Sequence, residues 1–189
     1  MASQVGIVNA ALIKLGEATI TSLDENSKPA RLANNVFEDL RDAVLQAHPW
    51  NFALARAELV ADVAGPSWGH AYAYALPAVP AYCLRVLAIE NAAADWRVEG
   101  RRILTDEGAP LRILYLKQVT DPNEYSALFR ECLAARLAAE LAEPLKQSVS
   151  AAETMRAVYE RKLAEARTAD AQEGTPDSIE ADAWILARG

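Results

Sequence analysis

One stretch of this sequence decides how the rest of the chain is arranged: residues 27–52, which read SKPARLANNVFEDLRDAVLQAHPWNF. Ser27 is typical of a helix N-cap, because its hydroxyl can accept a hydrogen bond from a first-turn amide. Pro29 fits the first turn, where its missing N–H costs nothing. Pro49 disfavours helical geometry at the residue before it and should end the helix. The pattern predicts a helix over residues 28–47 that stops sharply and passes into a strand.

Apolar side chains recur along this helix at three- and four-residue steps, which places them on one face. They are Leu32, Val36, Leu40, Ala43, Val44 and Ala47. Polar side chains cover much of the remaining surface: Asn35, Glu38, Asp39, Arg41, Asp42 and Gln46. After the helix the period changes to two, since Trp50, Phe52 and Leu54 alternate with other residues. We therefore expect a helical layer that is joined to a β-sheet through an aromatic junction.

Start and stop signals predict three further helices, over residues 3–16, 122–143 and 151–173. Ser3 is placed to cap the first of them, and Gly16 to end it. The segments Asp121-Pro122-Asn123-Glu124 and Ser150-Ala151-Ala152-Glu153 have the spacing of capping boxes for the other two. Pro144 should end the third helix near Glu143. The short connection that follows makes the last two helices antiparallel neighbours.

Residues 50–117 have β character. The predicted strands cover residues 50–60, 72–76, 85–90, 96–99, 101–105 and 111–117, with a helical turn at 80–84. Gly100 separates two of these strands and indicates a hairpin. We predict an α+β fold: a bundle of about four helices, an inserted small antiparallel, meander-like β-sheet, and an extended C-terminal tail. One domain covers residues 1–174, and the tail covers residues 175–189.

Composition and charge restrict the function. The chain has 189 residues and a formal net charge of −7, so no overall attraction to nucleic acid or an anionic membrane is expected. Cys83 and Cys132 form no C-x-x-C pattern and are expected to be buried thiols in a reducing compartment. The N-terminus lacks the pattern of a signal peptide, and no apolar segment is long enough to span a bilayer. We expect the chain to fold in a cytoplasm.

An enzyme would need a constellation of reactive residues, and the sequence shows no recognised catalytic or phosphate-binding motif. His48 stands at a helix end, where a ring nitrogen can bond a free carbonyl, and nothing pairs His70 with another ligand. We therefore expect no catalytic residue, metal or cofactor. One local basic concentration surrounds the hairpin and should be a solvated or subunit-contact face: Arg97, Arg101, Arg102 and Arg112. The aromatic residues of the β region are expected in the core or at an interface: Trp50, Trp68, Trp96, Tyr72 and Tyr74.

The C-terminal tail is polar but carries Ile179, Trp184, Ile185 and Leu186. The segment is too short to form a hydrophobic core of its own. Docking on another surface is therefore the best explanation for this apolar cluster.

Several segments in this order resemble a known family. They are Leu15-Gly16-Glu17, Ile20-Thr21-Ser22-Leu23-Asp24, Ser27-Lys28-Pro29-Ala30, His48-Pro49-Trp50-Asn51-Phe52, Tyr72-Ala73-Tyr74-Ala75-Leu76-Pro77, Cys83-Leu84-Arg85-Val86, Leu137-Ala138-Ala139-Glu140-Leu141-Ala142, residues 159–167 and Trp184-Ile185-Leu186-Ala187-Arg188. The chain resembles, over nearly its whole length, the tail tubular protein A family, the head-to-tail adaptors of short-tailed bacteriophages.

The resemblance implies a structural virion protein and not an enzyme. Identical subunits, commonly twelve, would form a ring between the portal protein and the tail nozzle protein and continue the DNA channel, without sequence-specific DNA binding. The protein would reside at the head–tail junction of the virion, after assembly in the host cytoplasm. The tail is then the portal-docking arm, with Trp184, Ile185, Leu186 and Arg188 as anchors. Loops around Trp68 and Gly100 are weaker candidates for the nozzle-facing end.

Two other functions stay open from the sequence. The first is a virion-associated glycan-degrading enzyme, because carboxylates are plentiful, although those at residues 38, 39, 42, 140 and 143 fall on or near solvated helix faces. The second is a helical regulatory or DNA-binding protein, which the acidic balance disfavours.

Overall fold

Four helices and two three-stranded antiparallel sheets make up residues 1–173, the part of the chain that the computed structural model describes. The helices are α1 (Gln4–Lys14), α2 (Lys28–Gln46), α3 (Ala127–Lys146) and α4 (Val149–Ala171). The strands are β1 (Leu54–Leu59), β2 (Tyr72–Ala75), β3 (Cys83–Ile89), β4 (Trp96–Glu99), β5 (Arg102–Thr105) and β6 (Leu111–Lys117). Short 3-10 helices cover Asn51–Ala53 and Pro122–Glu124. The α+β fold expected from the sequence is confirmed.

The first two helices begin where their capping residues predict. The Ser3 hydroxyl accepts a hydrogen bond from the Gly6 amide at 3.0 Å, and the Ser27 hydroxyl accepts one from the Ala30 amide at 3.3 Å. Pro29 lies in the first turn of α2. Gly16 follows α1 with a φ of +65°, a left-handed conformation that glycine adopts without strain. Local capping chemistry is therefore sufficient to position α1 and the start of α2.

The third and fourth helices begin elsewhere than predicted. Asp121 caps only the short 3-10 helix that follows it, and the cap of α3 is Ser126, whose hydroxyl accepts from the Phe129 amide at 3.2 Å. The break has a tertiary cause. Tyr125 is held in an extended conformation because its ring is buried and its hydroxyl donates to the Val119 carbonyl at 2.8 Å. For α4 the cap is Ser148 and not Ser150.

Pro144 does not end α3 near Glu143, as the sequence suggested. The helix continues to Lys146. Its C-cap is Gln147, which has a φ of +52° and donates its amide to the Glu143 carbonyl at 2.8 Å. Proline removes one backbone hydrogen-bond donor. Because Pro144 lies in the last turn, this loss affects few of the hydrogen bonds of the helix. The Pro144 carbonyl accepts from the Lys28 ammonium at 2.6 Å, which ties this end of α3 to the start of α2.

Helix α3 is the centre of the helical layer, because α1, α2 and α4 all pack against it. Small side chains on α3 are buried at these contacts and let the neighbouring helices approach closely. They are Ala134, Ala135, Ala138, Ala139 and Ala142.

The buried face of α2 differs from the predicted one. Ala43 is exposed, and Leu32 and Val36 are only partly buried. The buried positions are Ala30, Ala33, Phe37, Leu40, Arg41, Val44 and Leu45. Arg41, which the pattern placed among the solvated residues, is 2% exposed. Its Nε donates to Asp42 Oδ1 at 2.8 Å, and Asp42 Oδ2 accepts from Gln118 at 2.6 Å, so the buried charge is paired.

The β region contains two sheets and not one meander-like sheet. The strand orders are β1-β6-β3 in the first sheet and β2-β5-β4 in the second. Alternating side chains predict strands but do not say which strands pair, and here β1 pairs with β6, which lies much later in the chain.

The predicted helical turn at residues 80–84 is wrong, because β3 already begins at Cys83. The strand predicted over residues 50–60 begins only at Leu54, after a 3-10 helix.

The first sheet lies between the helical layer and the second sheet. On β6, Leu111, Ile113 and Tyr115 are buried in one hydrophobic cluster with Tyr74 of the second sheet, whereas Leu116 is buried in the helical cluster. Because successive side chains on a strand point to opposite faces, this one strand contributes to both cores.

The junction predicted between α2 and the sheet forms around Trp50, which is fully buried. Its indole N–H donates to the Val44 carbonyl at 3.0 Å, and its ring centroid lies 5.2 Å from that of Phe129. Aromatic neighbours complete the cluster: Phe52, Tyr125 and Phe129. The large aromatic side chain therefore fixes the end of α2 on α3.

The end of α4 is attached to the same junction through Asp170, which is 8% exposed. One carboxylate oxygen lies 3.1 Å from the His48 Nε2, and the Asn51 amide donates to the other at 3.1 Å. The Asn51 side chain donates to the Asp170 carbonyl at 2.7 Å. His48 thus meets a carboxylate and not the free carbonyl that the sequence suggested.

Replacing Trp50 by alanine should destabilise the protein by about 3–5 kcal/mol, because it removes a fully buried aromatic side chain and leaves a cavity. Trp68 is 86% exposed, so Trp68→Ala is the matched control and should change stability by less than about 0.5 kcal/mol. Urea denaturation followed by circular dichroism measures both. Equal losses of stability would contradict the assignment of Trp50 as the junction.

Glu25 should make the free energy of unfolding depend on pH in the acidic range. The backbone hydrogen bond from Thr21, followed by the hydroxyls of Ser27 and Thr21, lowers the pKa of the Glu25 carboxyl from 4.5 to about 2. A group whose pKa is lower in the folded state stabilises that state above its unfolded pKa and loses the effect as the pH falls through the folded pKa. Glu25→Gln should therefore cost stability at neutral pH and progressively less toward about pH 2. Glu153→Gln removes an exposed carboxylate of α4 as the control, and denaturation at several pH values compares the variants. A constant cost for Glu25→Gln would contradict this.

Candidate functional site

The most distinctive surface of residues 1–173 lies on the second sheet, where a loop and a hairpin meet. The loop, residues 62–70, connects β1 to β2, and the hairpin joins β4 to β5 through Gly100 and Arg101. Two adjacent depressions run between them, and both are lined by Pro66, Glu99 and Leu104. We call residues 62–70 together with β4, its turn and β5 the loop–hairpin surface. Loops around Trp68 and Gly100, distant in sequence, are thus brought side by side.

The loop is fastened at both ends. At its start, the Asp62 amide donates to the Ala73 carbonyl at 2.8 Å, and the Arg102 guanidinium donates to the Asp62 carboxylate at 2.7 Å. At its end, the Ala71 amide donates to the Asp106 carboxylate at 2.8 Å. Gly65 allows a close approach, since a Cβ there would lie 2.8 Å from the Ala71 carbonyl oxygen. The loop therefore presents its side chains from a fixed platform.

Two apolar side chains project from this platform into solvent: Trp68 is 86% exposed and Val63 is fully exposed. The other β-region aromatics that the sequence placed in a core or interface differ in burial. Trp50 and Tyr74 are fully buried, whereas Tyr72 is 40% exposed. An exposed tryptophan on a constrained loop is a typical anchor for a protein partner, because binding would bury a large side chain that is already ordered.

The hairpin has the geometry of a tight two-residue turn. Gly100 and Arg101 have φ values of 51° and 63°, as a type I′ turn requires. The Arg101 guanidinium donates to the carbonyls of Pro77 and Cys83 at 3.1 and 3.2 Å, and it stacks 3.8 Å from the ring centroid of Tyr82. The hairpin tip is thus anchored to the segment before β3.

The arginines that the sequence grouped around the hairpin have separate roles. Arg102 is paired with Asp62, and Arg112 lies on the first sheet, where it bridges Glu58 and Glu90. Arg101 binds backbone carbonyls. Arg97 lines one depression and has no ion pair within residues 1–173. The basic concentration in sequence therefore does not form one basic patch.

His70 lies beside the loop–hairpin surface. Its side chain is 11% exposed, its Nδ1 is 3.8 Å from the Asp106 carboxylate, and this nitrogen has no hydrogen-bond partner among the described residues. The second histidine, His48, is committed to the Asp170 junction. Within residues 1–173, no group of three or more His, Cys, Asp or Glu side chains has an arrangement suited to a metal ion. In the same residues, no helix combines the length and the apolar character that crossing a bilayer requires.

The tail residues predicted to dock on a portal, Trp184, Ile185, Leu186 and Arg188, lie outside the described residues. The loops around Trp68 and Gly100 are within them, and the structure adds that they form one surface. The signal in the sequence was a tryptophan in a loop of Gly, Pro and Ser. What the sequence did not indicate was that this loop would pack beside the hairpin.

The fold and this surface define the chain as an α+β protein whose second sheet carries a loop, fastened at both ends, with an exposed tryptophan. A scan against protein-family models found no matching family, and a search of curated proteins found no match.

The rigidity of the loop at residues 62–70 should depend on Asp106, whose carboxylate accepts a hydrogen bond from the Ala71 amide. Asp106→Ala should speed amide hydrogen exchange at residues 62–71 by about fivefold, the effect of losing a hydrogen bond worth about 1 kcal/mol. Asp95→Ala is the matched control, because it removes a nearby exposed carboxylate that makes no hydrogen bond among the described residues. Exchange rates at residues 62–71 that are equal in the two variants would contradict this role.

Proposed function

We propose that this chain is a structural assembly subunit, and specifically a head-to-tail adaptor that forms a ring between the portal and the tail nozzle of a short-tailed bacteriophage. The observation that carries the proposal is the loop–hairpin surface, where Trp68 stands exposed on a loop tied down at both ends. The sequence segments, in their order along the chain, resemble the tail tubular protein A family, and this resemblance is why we propose this particular assembly.

The arrangement of the described residues suits such a subunit. A helical layer centred on α3 provides a rigid body, and the two sheets place the loop–hairpin surface on the β side of the molecule. A subunit that joins two different proteins and also closes a ring needs several distinct contact surfaces. We assign the loop–hairpin surface to the nozzle and the tail beyond Gly174 to the portal.

The charge of the chain agrees with contact to passing DNA without binding. The formal net charge is −7, and a surface that releases few counterions from phosphates has little affinity for DNA. On the first sheet, Arg112 is paired with both Glu58 and Glu90, so its guanidinium is not free to bind a DNA phosphate. DNA would therefore move past the subunits without being retained.

The tail assignment is tested by truncation. A chain ending at Thr175 should fail to join the portal protein, whereas the intact chain should form a ring-sized complex whose mass is measured by light scattering or native mass spectrometry. The triple variant Trp184→Ala, Ile185→Ala and Leu186→Ala should weaken the complex at least about tenfold, since buried apolar anchors dominate interface energy. Portal binding that survives the truncation would refute the tail assignment, and an intact chain that forms no portal complex would refute the adaptor proposal.

The nozzle assignment is tested on the same complex. Trp68→Ala should leave portal binding unchanged and weaken recruitment of the nozzle protein by at least about tenfold, because it removes an anchor of the loop–hairpin surface. Val149→Ala, which truncates a 62% exposed side chain on α4, is the matched control and should recruit the nozzle normally. If both variants recruit the nozzle equally well, the loop–hairpin surface does not bind it.

A further inference from the structure

The helix-facing side of the first sheet extends beyond the helices that cover it. The strand register places its side chains in three rows across β1, β6 and β3: Leu54, Leu116 and Arg85; then Arg56, Leu114 and Ala88; then Glu58, Arg112 and Glu90. Leu116 is fully buried in the helical core, whereas Leu114 and Ala88 in the next row are only partly buried. Helical cover therefore ends between the first and second rows.

The second and third rows border a shallow depression of about 400 Å³, which we call the sheet saddle. Its floor is apolar, with Leu114 and Ala88 at the centre. One end is closed by Arg112, whose guanidinium lies 2.8 Å from the Glu58 carboxylate and 2.9 Å from the Glu90 carboxylate. At the side stands Arg56, which forms no ion pair with any residue up to 173. The saddle thus offers an apolar floor beside one available cation.

The attachment of α4 brings the start of the C-terminal tail close to this saddle. Asp170, one residue before the end of α4, is hydrogen-bonded to Asn51, and β1 starts three residues later. Arg56 lies five residues beyond Asn51, which is at most about 17 Å even for a fully extended chain, and the 3-10 helix over Asn51–Ala53 shortens the distance. The eleven residues that follow Glu173 and end at Trp184 can span up to about 36 Å. Trp184 can therefore reach the saddle of its own subunit.

The tail is acidic and carries apolar side chains, and so it complements the cation and the apolar floor of the saddle. Residues 174–189 contain three carboxylates, Asp177, Glu180 and Asp182, against one cation, Arg188. The acidic residues precede Trp184-Ile185-Leu186. An acidic and then apolar segment can pair a carboxylate with Arg56 while its apolar side chains cover the saddle floor. Arg85 of the first row offers a further cation on the way, since it is exposed and bonds only the Gln46 carbonyl among described groups.

We propose that the C-terminal segment, residues 174–189, docks on the sheet saddle of its own chain, with Trp184, Ile185 and Leu186 over Leu114 and Ala88 and a tail carboxylate at Arg56. The bound segment shields apolar anchors that a free subunit would otherwise expose, and a partner must displace it to use them. This docking concerns the isolated chain and does not rest on the adaptor proposal.

An engineered disulfide in the full-length chain tests the docking. Cys83 and Cys132 are both buried. Burial raises the pKa of the Cys83 thiol, and it raises the pKa of the Cys132 thiol to about 12, so neither thiol competes for oxidation. Ala88→Cys combined with Ile185→Cys should form an intramolecular disulfide in the monomer at low protein concentration. The rate should exceed that of Val63→Cys with Ile185→Cys by at least about tenfold, because docking raises the effective concentration of one thiol near the other. Val63 is a fully exposed residue of the loop–hairpin surface.

A charge variant makes the test specific. Arg56→Glu in the Ala88→Cys, Ile185→Cys background should slow disulfide formation several-fold, and more strongly at low salt, since it replaces attraction of the acidic tail by repulsion. Arg97→Glu changes an exposed arginine of β4 in the same way and should leave the rate unchanged. If the Ala88 variant does not fold, Leu114→Cys with Ile185→Cys tests the same contact from the residue that pairs with Ala88 on β6, and it leaves Arg56 in place.

Three results would overturn the docking. Equal oxidation of the Ala88 and Val63 pairs would show that the tail has no preferred site. Disulfide-linked dimers in place of monomers would assign the saddle to the tail of a second copy. A rate that is insensitive to Arg56→Glu would remove the charge pairing. None of these results affects portal binding, so the docking and the adaptor proposal can fail separately.

Discussion

The rest of the structure depends on the complete burial of Trp50 with its indole N–H bonded to the Val44 carbonyl. That hydrogen bond satisfies the polar atom of a large buried side chain, and it does so on a carbonyl in the last turn of α2 that also accepts from the Ala47 amide. The ring lies against Phe129 of α3, and Asn51, the next residue, holds the Asp170 carboxylate of α4. Three helices and the entry to the sheet are therefore joined within a few residues.

The first sheet connects the helical layer to the second sheet, because one of its faces packs against the helices and the other packs against the second sheet. Leu116 packs into the helical core, while its neighbour Tyr115 packs against the second sheet. A rigid joint between α2 and β1 thus also positions the second sheet, which has no helix of its own and contacts the first through Tyr74 and Ile103. The position of the loop–hairpin surface, at the outer side of the second sheet, follows from this two-sided packing.

The candidate surface combines parts of the chain that are separate in sequence. A tryptophan in a loop of Gly, Pro and Ser and a hairpin at Gly100 were both readable, because turn residues and alternation are local signals. Their proximity was not, because it depends on the pairing of β2 with β5 and on the ion pair of Arg102 with Asp62. For the same reason, four arginines that are close in sequence do not form one patch: Arg112 belongs to the other sheet.

Local chemistry alone determined the class of fold, the caps at Ser3 and Ser27, the stop after Gln46, and the hairpin turn at Gly100. Each of these depends on hydrogen bonds or backbone preferences within a few residues. Tertiary structure decided where α3 begins, because the buried ring of Tyr125 interrupts a sound capping box. It also decided that Arg41 lies inside, because Asp42 and Gln118 compensate the buried charge. Strand pairing and the meeting of His48 with Asp170 join residues far apart in sequence, and no local preference specifies such partners.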